Sequence, residues 1–313
     1  MIEFTDVCKK YGQVTALDRV SFTAADGQIV GLLGRNGAGK TTALNILTGY
    51  MPPDSGIVRI NGMDLLSHPR ECKRSIGYLP ERPPLYDEMT VYDQLVFVCR
   101  LREVDKKSID RHVREIISLC GLNDVAGRVI GHLSKGYRQR IGIAQALCGD
   151  PDIIILDEPT VGLDPVQVAE IRELIRKLGC DHTVFFSSHI LSEVQQLCNT
   201  VIILHNGRIV QICEPGKNGE QSDEIRLRLT AAGKEKDIVK ALRSLDSIHR
   251  IRVLTSAEQN VAELELICAR NDERGDIRRR IFYLLSALDA PILSMYTERE
   301  TLEDVFLKAT ADD

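Results

Sequence analysis

Gly34-Arg35-Asn36-Gly37-Ala38-Gly39-Lys40-Thr41 completes the pattern G-x-x-x-x-G-K-[ST] without a mismatch. It follows the apolar run Ile29-Val30-Gly31-Leu32-Leu33, which reads as a buried strand. It leads into Thr42-Ala43-Leu44-Asn45-Ile46-Leu47, which reads as a helix. Strand, glycine-rich loop and helix are the context in which this motif cradles phosphate. The glycines let backbone N–H groups turn inward on phosphate oxygens. Lys40 then reaches the outer phosphates, and the Thr41 hydroxyl is placed to ligate Mg²⁺. The helix adds the positive end of its dipole at the same spot. The structural alternative is a glycine-rich turn closing an ordinary β-α unit. The complete match in its proper context favours a nucleoside triphosphate site over Gly34–Thr41, with Thr42 following.

Composition sets outer limits. The 313 residues suffice for two domains or one large one, and 43% hydrophobic with 27% charged residues is a globular balance. A formal net charge of −5 argues against a nucleic-acid partner held through phosphate contacts. No stretch reaches the roughly 20 apolar residues that span a bilayer. The start, Met1–Asp6, enters a strand pattern at once, so no charged-then-apolar leader is expected. Nine dispersed cysteines, none in C-x-x-C spacing, suggest reduced thiols rather than zinc or a disulfide framework.

Periodicity divides the chain. Val20–Thr23 and Ile57–Ile60 alternate as strands between glycine-rich turns. Val91–Val98 and Ile109–Ile117 carry apolar residues at helical spacing, so residues 87–147 or so read as a helical insert. Ile153–Leu156, Thr183–Phe186 and Val201–Leu204 are short apolar runs of the kind found in a buried, largely parallel sheet. Pro215–Glu220 reads as a linker. Beyond it the pattern runs strand (Glu224–Leu229), helix (Lys234–Leu245), two strands (His249–Leu254, Val261–Ala269), helix (Glu273–Leu288) and strand (Ile292–Tyr296). That β-α-β-β-α-β order predicts a small ferredoxin-like α+β domain. An amphipathic helix is expected over Glu300–Lys308. The expected domains are 1–216 and 217–313.

Further motifs narrow the chemistry. Ile153-Ile154-Ile155-Leu156-Asp157-Glu158 is a hydrophobic strand ending in two acids, the Walker B pattern. Asp157 sits where a Mg²⁺-directed carboxylate is needed beside Thr41, and Glu158 where a carboxylate can polarise a water. Leu133-Ser134-Lys135-Gly136-Tyr137-Arg138-Gln139-Arg140 precedes it and opens a helix. This segment resembles the LSGGQ signature of ATP-binding cassette (ABC) ATPases, with Lys135 for the first glycine of the pair and Tyr137 for the glutamine. Ser134 and the Gly136 N–H would form an anion site at a helix start; without the family, Ser134 reads equally as a helix cap.

The other cassette features follow in order over residues 2–215 or so. By this resemblance Tyr11 stacks on adenine, Asp164 of Gly162-Leu163-Asp164 lies on the loop that crosses a dimer interface, and His189 bonds the terminal phosphate. A half-buried strand tyrosine and an N-cap before Pro165 are the structural alternatives for Tyr11 and Asp164. Glu81, in Gly77-Tyr78-Leu79-Pro80-Glu81-Arg82, stands where most of the family has glutamine, as a Mg²⁺ ligand or a solvated loop acid.

The resemblance implies an α/β fold: a P-loop core whose mixed sheet carries an antiparallel β subdomain and a helical subdomain. It also implies ATP and Mg²⁺ as cofactors, a second ABC ATPase subunit forming a homodimer around two ATP, and a separate integral-membrane permease. Membrane contact would come through that permease, at the cytoplasmic face of the inner membrane. The Gly77–Tyr86 loop, the signature variant and the α+β C-terminal domain look most like single-cassette ATPases of ABC-2-type exporters, including those of gliding motility. The alternatives are a soluble ABC ATPase of DNA repair or translation, and a non-hydrolysing regulatory cassette. Arg274, Arg278, Arg279 and Arg280 form either a basic face or a solvated helix surface.

Overall fold

The computed structural model describes residues 1–214, 224–254, 260–269, 271–272, 275–298 and 306. They fall into two compact units, one within Met1–Pro215 together with Phe306, the other within Gly216–Val305.

The first unit opens with β1 (Ile2–Tyr11) and β2 (Val14–Ala24), which pair antiparallel, followed by β3 (Ile29–Leu33). The phosphate loop leads from β3 into α1 (Lys40–Leu47), then come β4 (Ser55–Ile60), β5 (Met63–Asp64), α2 (Pro69–Arg74) and β6 (Ile76–Leu79). Sheet order β2-β1-β4-β5 forms the antiparallel layer. The helical insert contains α3 (Val91–Leu101), α4 (Ile109–Leu119) and α5 (Lys135–Leu147), which pack on one another. It returns to β7 (Ile153–Asp157), α6 (Pro165–Leu178), β8 (Thr183–Ser188), α7 (Leu191–Leu197), β9 (Thr200–His205) and β10 (Arg208–Cys213).

The second sheet has the order β10-β9-β3-β8-β7-β6, parallel except where β10 turns back on β9. Every residue of β3, β7 and β8 is buried. That is the reason these strands read as continuous apolar runs rather than alternating ones: both faces are covered. Phe4 stacks on Phe22, and Phe22 on Phe185 of β8, at ring-centroid distances of 4.6 and 5.6 Å, which joins the two sheets through one core. The insert is fastened to this core by Arg102, just after α3. Its guanidinium donates to the carbonyls of Cys148, Lys73 and Ile76 at 3.2, 3.0 and 2.5 Å. All nine cysteines are free thiols, and burial pushes Cys120 up to about 12.

The second unit runs β11 (Glu224–Ala232), α8 (Glu235–Leu242), β12 (Ile248–Leu254), β13 (Val261–Ala269), the short pair β14 (Asn271–Asp272) and β15 (Gly275–Asp276), α9 (Ile277–Ala287) and β16 (Ile292–Glu298). The order β12-β13-β11-β16 with every pairing antiparallel is the ferredoxin-like topology expected from the sequence. Leu227, Leu229, Leu264 and Leu266 pack under Ile238 and Leu242 of α8 and Ile281 and Leu285 of α9.

One boundary differs from expectation. The helix expected from Glu273 begins at Ile277, because Gly275 and Asp276 are taken by the β14–β15 pair. Asp276 then caps α9 by accepting the Arg278 N–H at 2.9 Å. Arg278 pairs with that same Asp276, and Arg280 donates to Ser247, while Arg279 is exposed. The arginine cluster is therefore partly spent on its own helix. Arg274, the linker over Pro215–Glu220 and all but Phe306 of the expected Glu300–Lys308 helix lie outside the described residues. Among the described residues, no helix is long and apolar enough to cross a membrane.

Candidate functional site

β3 delivers the phosphate loop from the middle of the parallel sheet. Gly34 and Ala38 are buried at its base, while Arg35, Asn36 and Gly37 are exposed at its tip. Gly39 must be glycine on two counts. Its φ is 108°, and a Cβ there would stand 2.5 Å from the Ala16 carbonyl oxygen. Thr41 is exposed and Thr42 half-buried at the start of α1. Lys40 is only 6% exposed. Its Nζ donates to the Gly34 carbonyl at 2.7 Å and pairs with Glu158 Oε1 at 3.2 Å.

The end of β7 presents the acids, and β8 beside it presents Ser187 and leads into His189. Asp157 and Ser187 are the last paired residues of their ladder. Ser187 Oγ donates to Asp157 Oδ1 at 2.6 Å and accepts the Glu158 N–H at 2.9 Å. Glu158 takes a φ of 48°, a left-handed conformation that a side chain rarely adopts and that clusters at functional sites. The turn aims its carboxylate between two partners, with Oε1 on Lys40 and Oε2 2.8 Å from His189 Nδ1. Where that nitrogen donates to Glu158, Nε2 is the unprotonated ring nitrogen.

Burial raises Asp157 above the usual carboxylate range, and the charges of Glu158 and Glu81 push the same way. Hydrogen bonds from Ser187 and Thr41 oppose the rise. Tyr78 is raised too, first by burial and then by Asp157.

The structure thus brings Lys40, Thr41, Asp157, Glu158 and His189 together, with Glu81 in electrostatic reach. Among the described residues, no hydrogen bond or ion pair joins Tyr11, Ser134, Gly136 or Asp164 to them. Tyr11 is the last residue of β1 and 47% exposed, its hydroxyl 3.0 Å from Met51 Sδ. Asp164 does cap α6, accepting the Gln167 N–H at 2.9 Å. Ser134 occupies the N-cap position of α5, yet its side chain makes no capping bond, which leaves its hydroxyl exposed.

Gly136 is buried against the Gln167 side chain, and the Lys135 ammonium lies over Gly162. The signature helix is held in the insert by Tyr137 to Asp124 at 2.7 Å and Arg138 to Asp87 at 2.6 Å. Arg140 also pairs with Glu170 of α6.

Sequence reasoning missed three side chains here: Ser187, Thr160 and Glu193. Ser187 was visible only as a polar residue between a strand and His189. Glu193 reads as a surface acid in a helical first turn but is 3% exposed, its carboxylate shared by Thr160 and Ser188.

A cleft of about 320 Å³ lies between the core and the insert. Tyr50, Lys73 and Tyr78 line one side, and Val98, Arg102 and Gln145 the other.

Fold and site together define a P-loop ATPase with an inserted helical subdomain. Residues 17–161 match the ABC transporter family. The chain is 39% identical over 216 residues to the ABC transporter ATP-binding protein NatA of Bacillus subtilis, an alignment covering 67% of this chain and 88% of that one. It is 38% identical to the bacitracin transport ATP-binding protein BcrA of Bacillus licheniformis, covering 67% and 69%. A solved ATP-binding subunit of an ABC transporter superposes with a TM-score of 0.64 at 30% identity, over 71% of this chain and 92% of that one. The chain belongs to the ATP-binding proteins of ABC transporters: it binds ATP and is an ATPase.

Proposed function

We propose that two copies of this chain close head to tail around two ATP and drive a separate integral-membrane permease of an ABC-2-type exporter. The observation that carries the reading is the chain of contacts Lys40–Glu158–His189, at 3.2 and 2.8 Å. It links the phosphate loop to a water-activating carboxylate and a switch histidine within one subunit. The exposed Ser134 hydroxyl stands outside that cluster, as it would if it served the ATP of the other subunit. In this assignment each ATP lies over Gly34–Thr42 of one copy, with Tyr11 against adenine, and meets Ser134 and Gly136 of the other. The loop around Asp164 crosses between them. Fixed donors on both sides of the phosphates provide electrostatic preorganisation.

Thr41, Asp157 and Glu81 fit Mg²⁺. They are hard oxygen donors, and a dication would offset the like charges that raise Asp157. Among the described residues no three or more His, Cys, Asp or Glu form a ready-made metal-ligand set, and Mg²⁺ takes few protein ligands beside phosphate and water oxygens. When bound, Mg²⁺ neutralises charge on the transferring phosphoryl group.

Lys40 is the residue that must exchange its Glu158 partner for phosphate. That exchange leaves Glu158 free to orient water and His189 free to turn to the terminal phosphate. The cleft bounded by Tyr50, Lys73, Val98 and Arg102 lies between the core and the insert, and we assign it to the permease. Docking there would hold the chain at the cytoplasmic face of the inner membrane. The export direction rests on the ferredoxin-like second unit, since sugar-type importers usually carry an all-β extension, while the BcrA relative points to bacitracin transport.

The test is Glu158→Gln, which keeps shape and removes the base. It should bind ATP with wild-type affinity and lose about 10²–10⁴-fold in turnover. Wild-type turnover in that variant removes Glu158 from this role. Gentle detergent extraction with the full chain as bait should recover an integral-membrane protein.

A further inference from the structure

The ladder between β7 and β8 ends at the Asp157–Ser187 pair, so Glu158 and His189 both lie beyond the last backbone contact that fixes their strands. Besides the Glu158–His189 bond itself, Glu193 joins the two segments past that point. Its Oε2 accepts from Thr160 Oγ1 at 2.9 Å and from Ser188 Oγ at 2.8 Å. Thr160 lies two residues after Glu158, and Ser188 immediately precedes His189. Ser188 Oγ in turn accepts the Ile190 N–H at 3.0 Å, which closes the turn that carries His189.

All three side chains are buried: Glu193 at 3%, Thr160 at 5% and Ser188 at 1% exposure. Burying a carboxylate is expensive unless a cation or several donors compensate it. Among the described residues no Lys, Arg or His pairs with Glu193. Its neighbours on α7, Val194 and Leu197, are themselves buried and apolar, and a hydrophobic side chain at 193 would serve packing as well. The carboxylate instead adds a buried connection, beside the Glu158–His189 bond itself, between the span leaving Glu158 and the span entering His189.

We propose that Glu193 is a positioning residue for hydrolysis. By holding Thr160 and Ser188 on one oxygen, it fixes Glu158 and His189 at hydrogen-bonding distance. It also anchors the Val161–Asp164 loop, which begins directly after Thr160, to the same point. An arrangement of the opposite copy sensed at that loop is thereby transmitted to the acid and the histidine together. The inference rests on the assignment of Glu158 and His189 to the terminal phosphate.

The test measures ATP turnover per nucleotide-binding chain, together with KM and ATP affinity, on the full chain. Glu193→Ala should lower kcat by about 10–100-fold, the scale on which small misplacements act, with ATP affinity unchanged. Glu193→Gln retains an acceptor oxygen for both hydroxyls and should recover kcat to within about 3-fold of wild type. Thr160→Val and Ser188→Ala each remove one donor and should each lower kcat without altering ATP affinity.

Because Glu193 acts through His189 and Glu158, Glu193→Ala should add little in a His189→Ala background. Wild-type kcat per nucleotide-binding chain in Glu193→Ala would overturn the inference, as would full additivity with His189→Ala. If Glu158→Gln and His189→Ala themselves keep wild-type turnover, the assignment of the site has failed. If they lose it while Glu193→Ala does not, only the role of Glu193 has failed.

Discussion

Asp157 is the residue at which stability and function pull apart. Its carboxyl is raised first by burial, then by the charges of Glu158 and Glu81, against hydrogen bonds from Ser187 and Thr41. A carboxyl whose folded pKa exceeds its unfolded one binds its proton better in the folded state. The stability it confers is therefore present in acid and is lost as pH rises through the folded value. At neutral pH the ionised group destabilises the fold. Asp157→Asn is expected to melt at a higher temperature than wild type at neutral pH, with the gain shrinking on acidification, while hydrolysis collapses. Thermal melts in neutral and acidic buffer check it, and an unchanged or lower neutral melting temperature would count against the placement of Asp157. Local motifs at strand ends and loops bring Lys40, Thr41, Asp157 and Glu158 to one site, and the family resemblance adds His189. The sequence did not disclose Glu193, since a glutamate in a helical first turn is ordinarily solvated. Only the tertiary packing of α7 under β8 buries it.

At the scale of elements, the helical insert shows how local chemistry sets boundaries. Thr90 caps α3 by accepting the Asp93 N–H at 3.1 Å, and its hydroxyl donates to Asp93 Oδ2 at 2.7 Å. Thr90→Ala should cost about 1 kcal/mol, read as a lower denaturation midpoint with an unchanged slope. ATP affinity should stay the same, since Thr90 touches none of the phosphate-loop residues. The apolar spacing of Val91–Val98 and Ile109–Ile117 was sufficient to place α3 and α4, and the buried faces Val91, Leu95, Cys99 and Ile109, Val113, Ile116 follow it. The start of α9 was less legible. The sequence reading carries the helix back to Glu273, and what stops it short is the pairing of Gly275 and Asp276 with β14, a contact that periodicity does not encode. Arg102 was invisible for a similar reason: its three acceptors are backbone carbonyls far away in sequence.

For the whole molecule, two separate cores correspond to the two compact units. One joins the antiparallel layer to the parallel sheet, and the other lies under α8 and α9. The succession of strands along the chain is readable because each apolar run ends in a turn, and the β-α-β-β-α-β succession because its period switches between two and 3.6. The composite ATP site proposed above is a different matter. The proposal rests on what one subunit does not join, the exposed Ser134 of α5 and the Lys40–Glu158–His189 cluster, and on it a second copy completes the site. The decisive measurement is therefore the solution mass of the Glu158→Gln variant with and without Mg²⁺ and ATP. A shift from one chain to two chains with two bound ATP, reversed on removing the nucleotide and abolished by a bulky residue at Ser134, is expected. A variant that binds ATP to saturation and remains a single chain would contradict the composite site.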